Sequence, residues 1–188
     1  MSDAPPQRAP QRIALTGFMG SGKTTVGRLL AARLGWQFVD LDSAVEQRAG
    51  KTVPQIFSEE GEETFRQAEA AALKELLQLP ETVIALGGGA PTWPAVRDLL
   101  AGDGALILLH LHAPFPVLYE RCVAQARDPR STPRPLLSES EAAERRYKHR
   151  LSIYAAISHR TIDVAEMDAQ QVVAEILTDR PTWGQSPT

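Results

Sequence analysis

The run Gly17-Phe18-Met19-Gly20-Ser21-Gly22-Lys23-Thr24, followed by Thr25, fits the pattern G-x-x-x-x-G-K-[ST]. Glycines at those positions let the backbone curl so that successive N–H groups and a helix N-terminus face one anion. Gly20, Ser21, Gly22, Thr24 and Thr25 would form that cradle. Lys23 would reach the β- and γ-phosphates of a nucleotide, and the Thr24 hydroxyl would ligate Mg2+. An ordinary Gly-rich turn is the bland alternative, and the flanking strand and helix patterns count against it. The loop does not say what receives the phosphoryl group.

Two acids follow in Val39-Asp40-Leu41-Asp42-Ser43. In an extended segment residues two apart point to one side, so Asp40 and Asp42 are expected to face together while Leu41 enters the core. Asp40 beside Mg2+ could orient it through water, and Asp42 could accept hydrogen bonds from substrate hydroxyls. The alternative makes Asp42 or Ser43 the N-cap of a helix that starts near Ala44. Gly87-Gly88-Gly89 is either a flexible turn or a place where a ligand approaches the backbone closely. His110 and His112 fall on one side of a strand without a third metal ligand, which favours a structural role. The single cysteine, Cys122, excludes an intrachain disulfide and a cysteine-based zinc site and reads as a small buried apolar residue. The chain has no Asn. That excludes a protein-kinase catalytic loop, which holds metal with an Asn, and the Asn-Lys-x-Asp guanine-reading motif.

The elements that must position these groups alternate along the chain. Residues 12–16, 37–41, 82–86, 105–111 and 161–164 read as short apolar strands, and 23–34, 62–79 and a segment running through Ile176 as helices. Pro80 stops the second of these helices. Short apolar strands separated by helices require crossover connections, so the sheet should be mainly parallel with helices on both faces. Ligands in such sheets bind beyond the carboxyl ends of the strands, where the loops after Thr16, Val39, Leu86 and Leu111 lie. Neither the third nor the fourth strand ends in a carboxylate for Mg2+, which leaves Asp40 and Asp42.

The 188 residues carry 20 Lys+Arg against 23 Asp+Glu, a net charge of −3, and 43% are hydrophobic. That amount of apolar surface suits one globular domain and argues against disorder. The mild acidity removes the electrostatic case for nucleic-acid binding. The longest apolar run, 105–111, falls far short of the roughly 20 residues that span a bilayer. Residues 1–11 lack the apolar core of a signal peptide; they and residues 179–188 are expected to be flexible tails around a domain at 12–178. A cytoplasmic location follows as an expectation. So does an absence of membrane partners.

Taken together, GFMGSGKTTVGRLLA, then DLD, Ile56-Phe57, Gly61-Glu62-Glu63-Thr64-Phe65-Arg66, Leu86-Gly87-Gly88-Gly89-Ala90, Arg134-Pro135-Leu136-Leu137 and Arg150 with Tyr154 resemble the shikimate kinase family over residues 12–178. The resemblance implies a three-layer α/β/α P-loop fold with a five-stranded parallel sheet in the order 2-3-1-4-5 and a mobile lid. It implies ATP and Mg2+ as cofactors and transfer of the γ-phosphoryl group to the 3-hydroxyl of shikimate, a step toward chorismate and the aromatic amino acids, by a monomer.

By the same resemblance Arg66 and Arg150 bind the shikimate carboxylate and Asp42 its ring hydroxyls, with Gly87, Gly88 and Gly89 against the ring. Gly88 is expected to present a backbone N–H where a side chain would collide with the ligand. Phe57 and Phe65 would wall the pocket or simply belong to the core. Glu69, one turn beyond Arg66, would hold it in place. Arg134 lies in a proline-rich stretch read as a lid at about 126–139, which would close over the nucleotide and bring Arg134 to the phosphates, as an internal arginine finger. Lys23, Asp40 and Arg134 are thus the expected catalytic residues, with Asp40 also placed to accept the hydroxyl proton. Thr24 and Asp40 are the expected metal contacts. Arg121 matches an arginine that stacks on adenine. The chain departs from the family pattern after its fifth strand, where Val164-Ala165-Glu166-Met167 has no basic residue, and in a slightly long interval between Arg121 and Arg134. The competing readings are a gluconate or nucleoside monophosphate kinase of similar architecture, and a shikimate-binding sensor that does not turn over.

Overall fold

The computed structural model describes residues 11–126 and 140–178. Arg134, almost all of the expected lid and both tails except Gln11 lie outside the described residues.

Ile13, Ala14 and Leu15 of β1 (Arg12–Thr16) are fully buried, as a strand covered on both faces must be. It lies between β3 (Thr82–Ala85) and β4 (Leu106–His112), with β2 (Gln37–Asp40) and β5 (Arg160–Asp163) at the edges. All pairings are parallel and the order is β2-β3-β1-β4-β5. The register sets Asp40 level with Ala85 and Thr16 level with His110. The loops after all five strands therefore leave the sheet at one rim.

Alternate residues of β1 feed two separate cores. Ile13 and Leu15 pack beneath α1 (Lys23–Leu34), α6 (Phe115–Ala126), α7 (Ser140–Ile157) and α8 (Ala169–Thr178), through Leu30, Leu118, Tyr154 and Val172. Ala14 faces the layer of α2 (Leu41–Ala49), α3 (Val53–Glu59), α4 (Gly61–Leu76) and α5 (Pro94–Gly102), through Leu41, Ile56, Leu73 and Val96. Burying a Leu or Ile side chain is worth about 1.5–3 kcal/mol, so both helical layers are held to the sheet by several such contacts. Among the described residues no helix is long and apolar enough to cross a membrane.

The second strand ends one residue earlier than its apolar pattern suggests, and α2 starts at Leu41 rather than near Ala44. Asp40, still extended at φ −92° and ψ 123°, is its N-cap, and Ser43 N–H points to Asp40 Oδ1 at 3.5 Å. The cap is therefore neither Asp42 nor Ser43. Asp42 belongs to the first helical turn, so strand alternation does not bring the two acids together; the tight strand-to-helix turn does. The helix expected at 62–79 runs from Gly61 to Leu76 and ends before Pro80. Helices α3, entered through a Thr52–Gln55 capping box, α5, entered at Pro94, and α7 have no counterpart among the helices expected from the sequence.

Candidate active site

Gly17, Gly20 and Gly22 have φ of +147°, +80° and +86°, values that L side chains rarely adopt. A Cβ on Gly20 would stand 2.5 Å from the Leu118 carbonyl oxygen and 3.0 Å from Cys122 Sγ. Helix α6 thus presses against the loop, and the buried Cys122 is part of that packing. Gly22 caps α1 without any side-chain hydrogen bond, and the first turn carries no acid. The N–H groups of that turn remain for an anion. Lys23 Nζ donates to the carbonyls of Gly17 and Phe18 at 2.7 and 3.1 Å, which holds the ammonium over the loop. Ser21 is buried and its Oγ has no partner.

The Thr24 hydroxyl donates to Asp40 Oδ2 at 2.9 Å. The pair supplies hard oxygen ligands at the foot of the phosphate loop, the type Mg2+ takes along with substrate phosphates. Among the described residues no group of three His, Cys, Asp or Glu is assembled for a metal. Mg2+ asks for none, since it keeps waters and substrate oxygens in most of its positions.

One cleft of about 570 Å³ joins this loop to the ends of β2 and β3. Gly20, Gly22, Lys23, Thr24 and Thr25 line one part of it. Asp40, Asp42, Arg66, the three glycines and Arg150 line the rest. Ser21 and Arg121 are not on its wall. Phe57 and Phe65 both reach it, with ring centroids 4.7 Å apart; Phe65 is buried in the core and Phe57 forms an exposed rim.

Arg66 is buried and ion-paired on its own helix. Its Nη1 donates to Glu69 Oε2 at 2.7 Å, and its Nε and Nη2 lie 3.4 and 3.3 Å from Glu62 Oε1. Glu69 is fully buried, and burial pushes its carboxyl up to about 7 despite the opposing Arg66 charge. Burial also raises Asp42, with the nearby Asp40 charge adding to it. The glycines fit around these groups. A Cβ on Gly87 would fall 2.5 Å from Asp42 Oδ1 and 2.9 Å from Glu69 Oε1, and one on Gly89 would overlap Arg66. At Gly88 the nearest atom would be Arg150 Nη1, at an ordinary 3.5 Å. The chain's own side chains therefore crowd the space a Cβ would take at 87 and 89, and leave it open at 88.

Tyr154 donates its hydroxyl hydrogen to the Gly88 carbonyl oxygen and fixes α7 against the loop after β3. Burial raises this phenol to about 12, so it stays a donor at neutral pH. Arg150, one turn earlier, lies with its guanidinium carbon 5.9 Å from the Phe18 ring centroid. Arg146, a further turn back, also lines the cleft and was missed in the sequence; only its i, i+4 spacing from Arg150 signals it. His110 packs against Tyr154 and His112, with Nδ1 3.3 Å from Thr161 Oγ1, and burial lowers it to about 4. It is a neutral core residue. Arg121 Nη2 donates to the carbonyls of Val164 and Ala165 at 2.7 and 2.8 Å. The loop after β5, which has no basic residue of its own, thus acquires one from α6.

The chain that builds this cleft is similar to known proteins over most of their length. The shikimate kinase family model covers residues 19–180. The chain is 44% identical over 141 residues to a shikimate kinase of Halorhodospira halophila, covering 71% of this chain and 78% of that protein. It is 40% identical over 174 residues to one of Chlorobium luteolum, covering 93% and 80%. Among solved structures, a shikimate kinase from Acinetobacter baumannii in complex with shikimate superposes with a TM-score of 0.78 at 36% identity, covering 92% of this chain and 94% of that one. The chain belongs to the shikimate kinase family.

Proposed function

We propose that the chain transfers the γ-phosphoryl group of ATP to the 3-hydroxyl of shikimate, giving shikimate 3-phosphate and ADP. The observation that supports this most is the single cleft shared by Lys23 and Thr24 at one part and by Asp42, Arg66 and Arg150 at another. Shikimate carries a carboxylate and ring hydroxyls, and it needs guanidinium groups and a hydrogen-bond acceptor together.

In this reading Gly20, Ser21, Gly22, Thr24 and Thr25 bind the ATP phosphates through the loop and the helix N-terminus. Lys23 leaves the Gly17 and Phe18 carbonyls to meet the β- and γ-phosphates. Thr24 and Asp40 would hold Mg2+, which would offset negative charge on the phosphates. Asp42 accepts from the ring hydroxyls and orients the 3-hydroxyl, Arg66 and Arg150 hold the carboxylate, and Gly87, Gly88 and Gly89 let the ring approach the backbone. Asp40, bonded to Thr24 beside the phosphate loop, is also available to take the hydroxyl proton, although phosphoryl transfer depends mainly on positioning and electrostatics. Arg121 serves the adenine side through the loop after β5. Arg134, outside the described residues, adds positive charge at the phosphates in the manner of an arginine finger. The enzyme is proposed to be a cytoplasmic monomer with one catalytic domain at 12–178.

Phosphorus NMR of the product tests the regiochemistry. A single phosphate ester coupled to the ring proton at carbon 3 is expected. An ester at another hydroxyl would overturn the proposed orientation by Asp42.

A further inference from the structure

Arg66 reaches the acceptor pocket already engaged by two carboxylates, those of Glu69 and Glu62. Its Nε, Nη1 and Nη2 already have acceptors, so the donors that hold a bound carboxylate must come largely from elsewhere. Along α7 the cations on the outer face are paired within the helix, Arg145 with Glu141 at 3.8 Å and Lys148 with Glu144 at 2.8 Å. Arg146 is not. Among the described residues no carboxylate pairs with it, and its Nε is shielded from solvent with no hydrogen-bond partner while the side chain lines the cleft. A shielded guanidinium N–H without an acceptor is costly, and it points to an acceptor that arrives with a ligand.

Arg150 stands four residues on, so the two side chains rise from neighbouring positions on one face, with Cβ atoms about 5–6 Å apart. Tyr154 continues the same face and anchors it to Gly88. From that spacing two guanidinium forks can converge on one carboxylate from adjacent turns. Resting on the function proposed above, we infer that Arg146 is a third arginine of the acceptor site, binding the substrate carboxylate together with Arg150. The ATP phosphates are the other anion in the cleft, since Gly20, Gly22 and Lys23 line it too. The engagement of Arg66 by Glu69 and Glu62 favours the carboxylate.

Calorimetric titration of wild type and Arg146→Gln with shikimate, with shikimate methyl ester and with ATP tests the assignment. A lost hydrogen bond to a charged group should weaken shikimate binding about 10-fold or more. ATP affinity and the thermal melt should not change, and the uncharged methyl ester should bind both proteins alike. Unchanged shikimate affinity would overturn the inference, as would a loss confined to ATP, which would give Arg146 to the phosphates. Equal loss for shikimate and its ester would reduce Arg146 to shaping the pocket, and that too contradicts it. If wild type itself binds no shikimate, the proposed function fails and the inference falls with it, an outcome distinct from failure of the variant alone.

Discussion

Glu69 gives one oxygen to Arg66 at 2.7 Å, while the other, Oε1, is buried without a partner and faces Asp42 across Gly87. Burial holds the proton on Glu69, raising it from an ordinary 4.5 to about 7. The folded protein therefore binds this proton more tightly than the unfolded chain does. The resulting stabilisation is fully present below about pH 4.5 and disappears as pH rises through about 7. In Glu69→Gln the amide oxygen can still accept from Arg66 while its N–H₂ faces Asp42. Melts across pH 4.5–8 should show wild type losing ground to this variant as pH rises, by on the order of 2–3 kcal/mol. A constant difference at every pH would remove Glu69 as the titrating group.

Gly87→Ala should separate binding from folding. The added methyl first meets the ends of the Asp42 and Glu69 side chains, which can give way, and Gly87 is not at positive φ. The variant is expected to fold, bind ATP normally and show a raised KM for shikimate because Asp42 has been displaced. Steady-state kinetics with each substrate varied in turn checks this; an effect on ATP alone would contradict the placement of Asp42.

Lys23→Ala should retain its melting temperature, since Lys23 donates to loop carbonyls and belongs to neither apolar core, and lose kcat on the order of 10²-fold or more. Near-normal turnover would show that the loop does not hold the transferred phosphate.

Asp42→Asn distinguishes substrate binding from helix capping. Because Asp40 and not Asp42 is the N-cap of α2, stability should hardly change. Shikimate affinity should fall about 10- to 150-fold, with nucleotide affinity intact. Calorimetry with both ligands decides it, and an unaltered shikimate affinity would take Asp42 out of the site.

The five strands, their parallel pairing and the phosphate loop were legible because apolar runs, glycine spacing and the following helix all agree. Local pattern misled at Leu41, whose apolar side chain suits a strand or a buried helical turn equally; the cap at Asp40 settles the matter. The fit of Gly87 and Gly89 around Asp42, Glu69 and Arg66 was beyond local reading, since it depends on contacts between α2, α4 and the loop after β3. Arg121 shows the same limit. Its role in holding the Val164 and Ala165 carbonyls depends on how α6 docks beside β5, and no spacing along the chain encodes it.

A cleft that phosphorylates shikimate with ATP must release ADP in step with shikimate. The most direct measurement is ADP release by the purified protein with Mg2+ and ATP, in the presence of shikimate, of gluconate, and of neither. Release should depend on shikimate and saturate with it, with only background release with gluconate or ATP alone. Release that ignores shikimate, or that responds to gluconate instead, would contradict it.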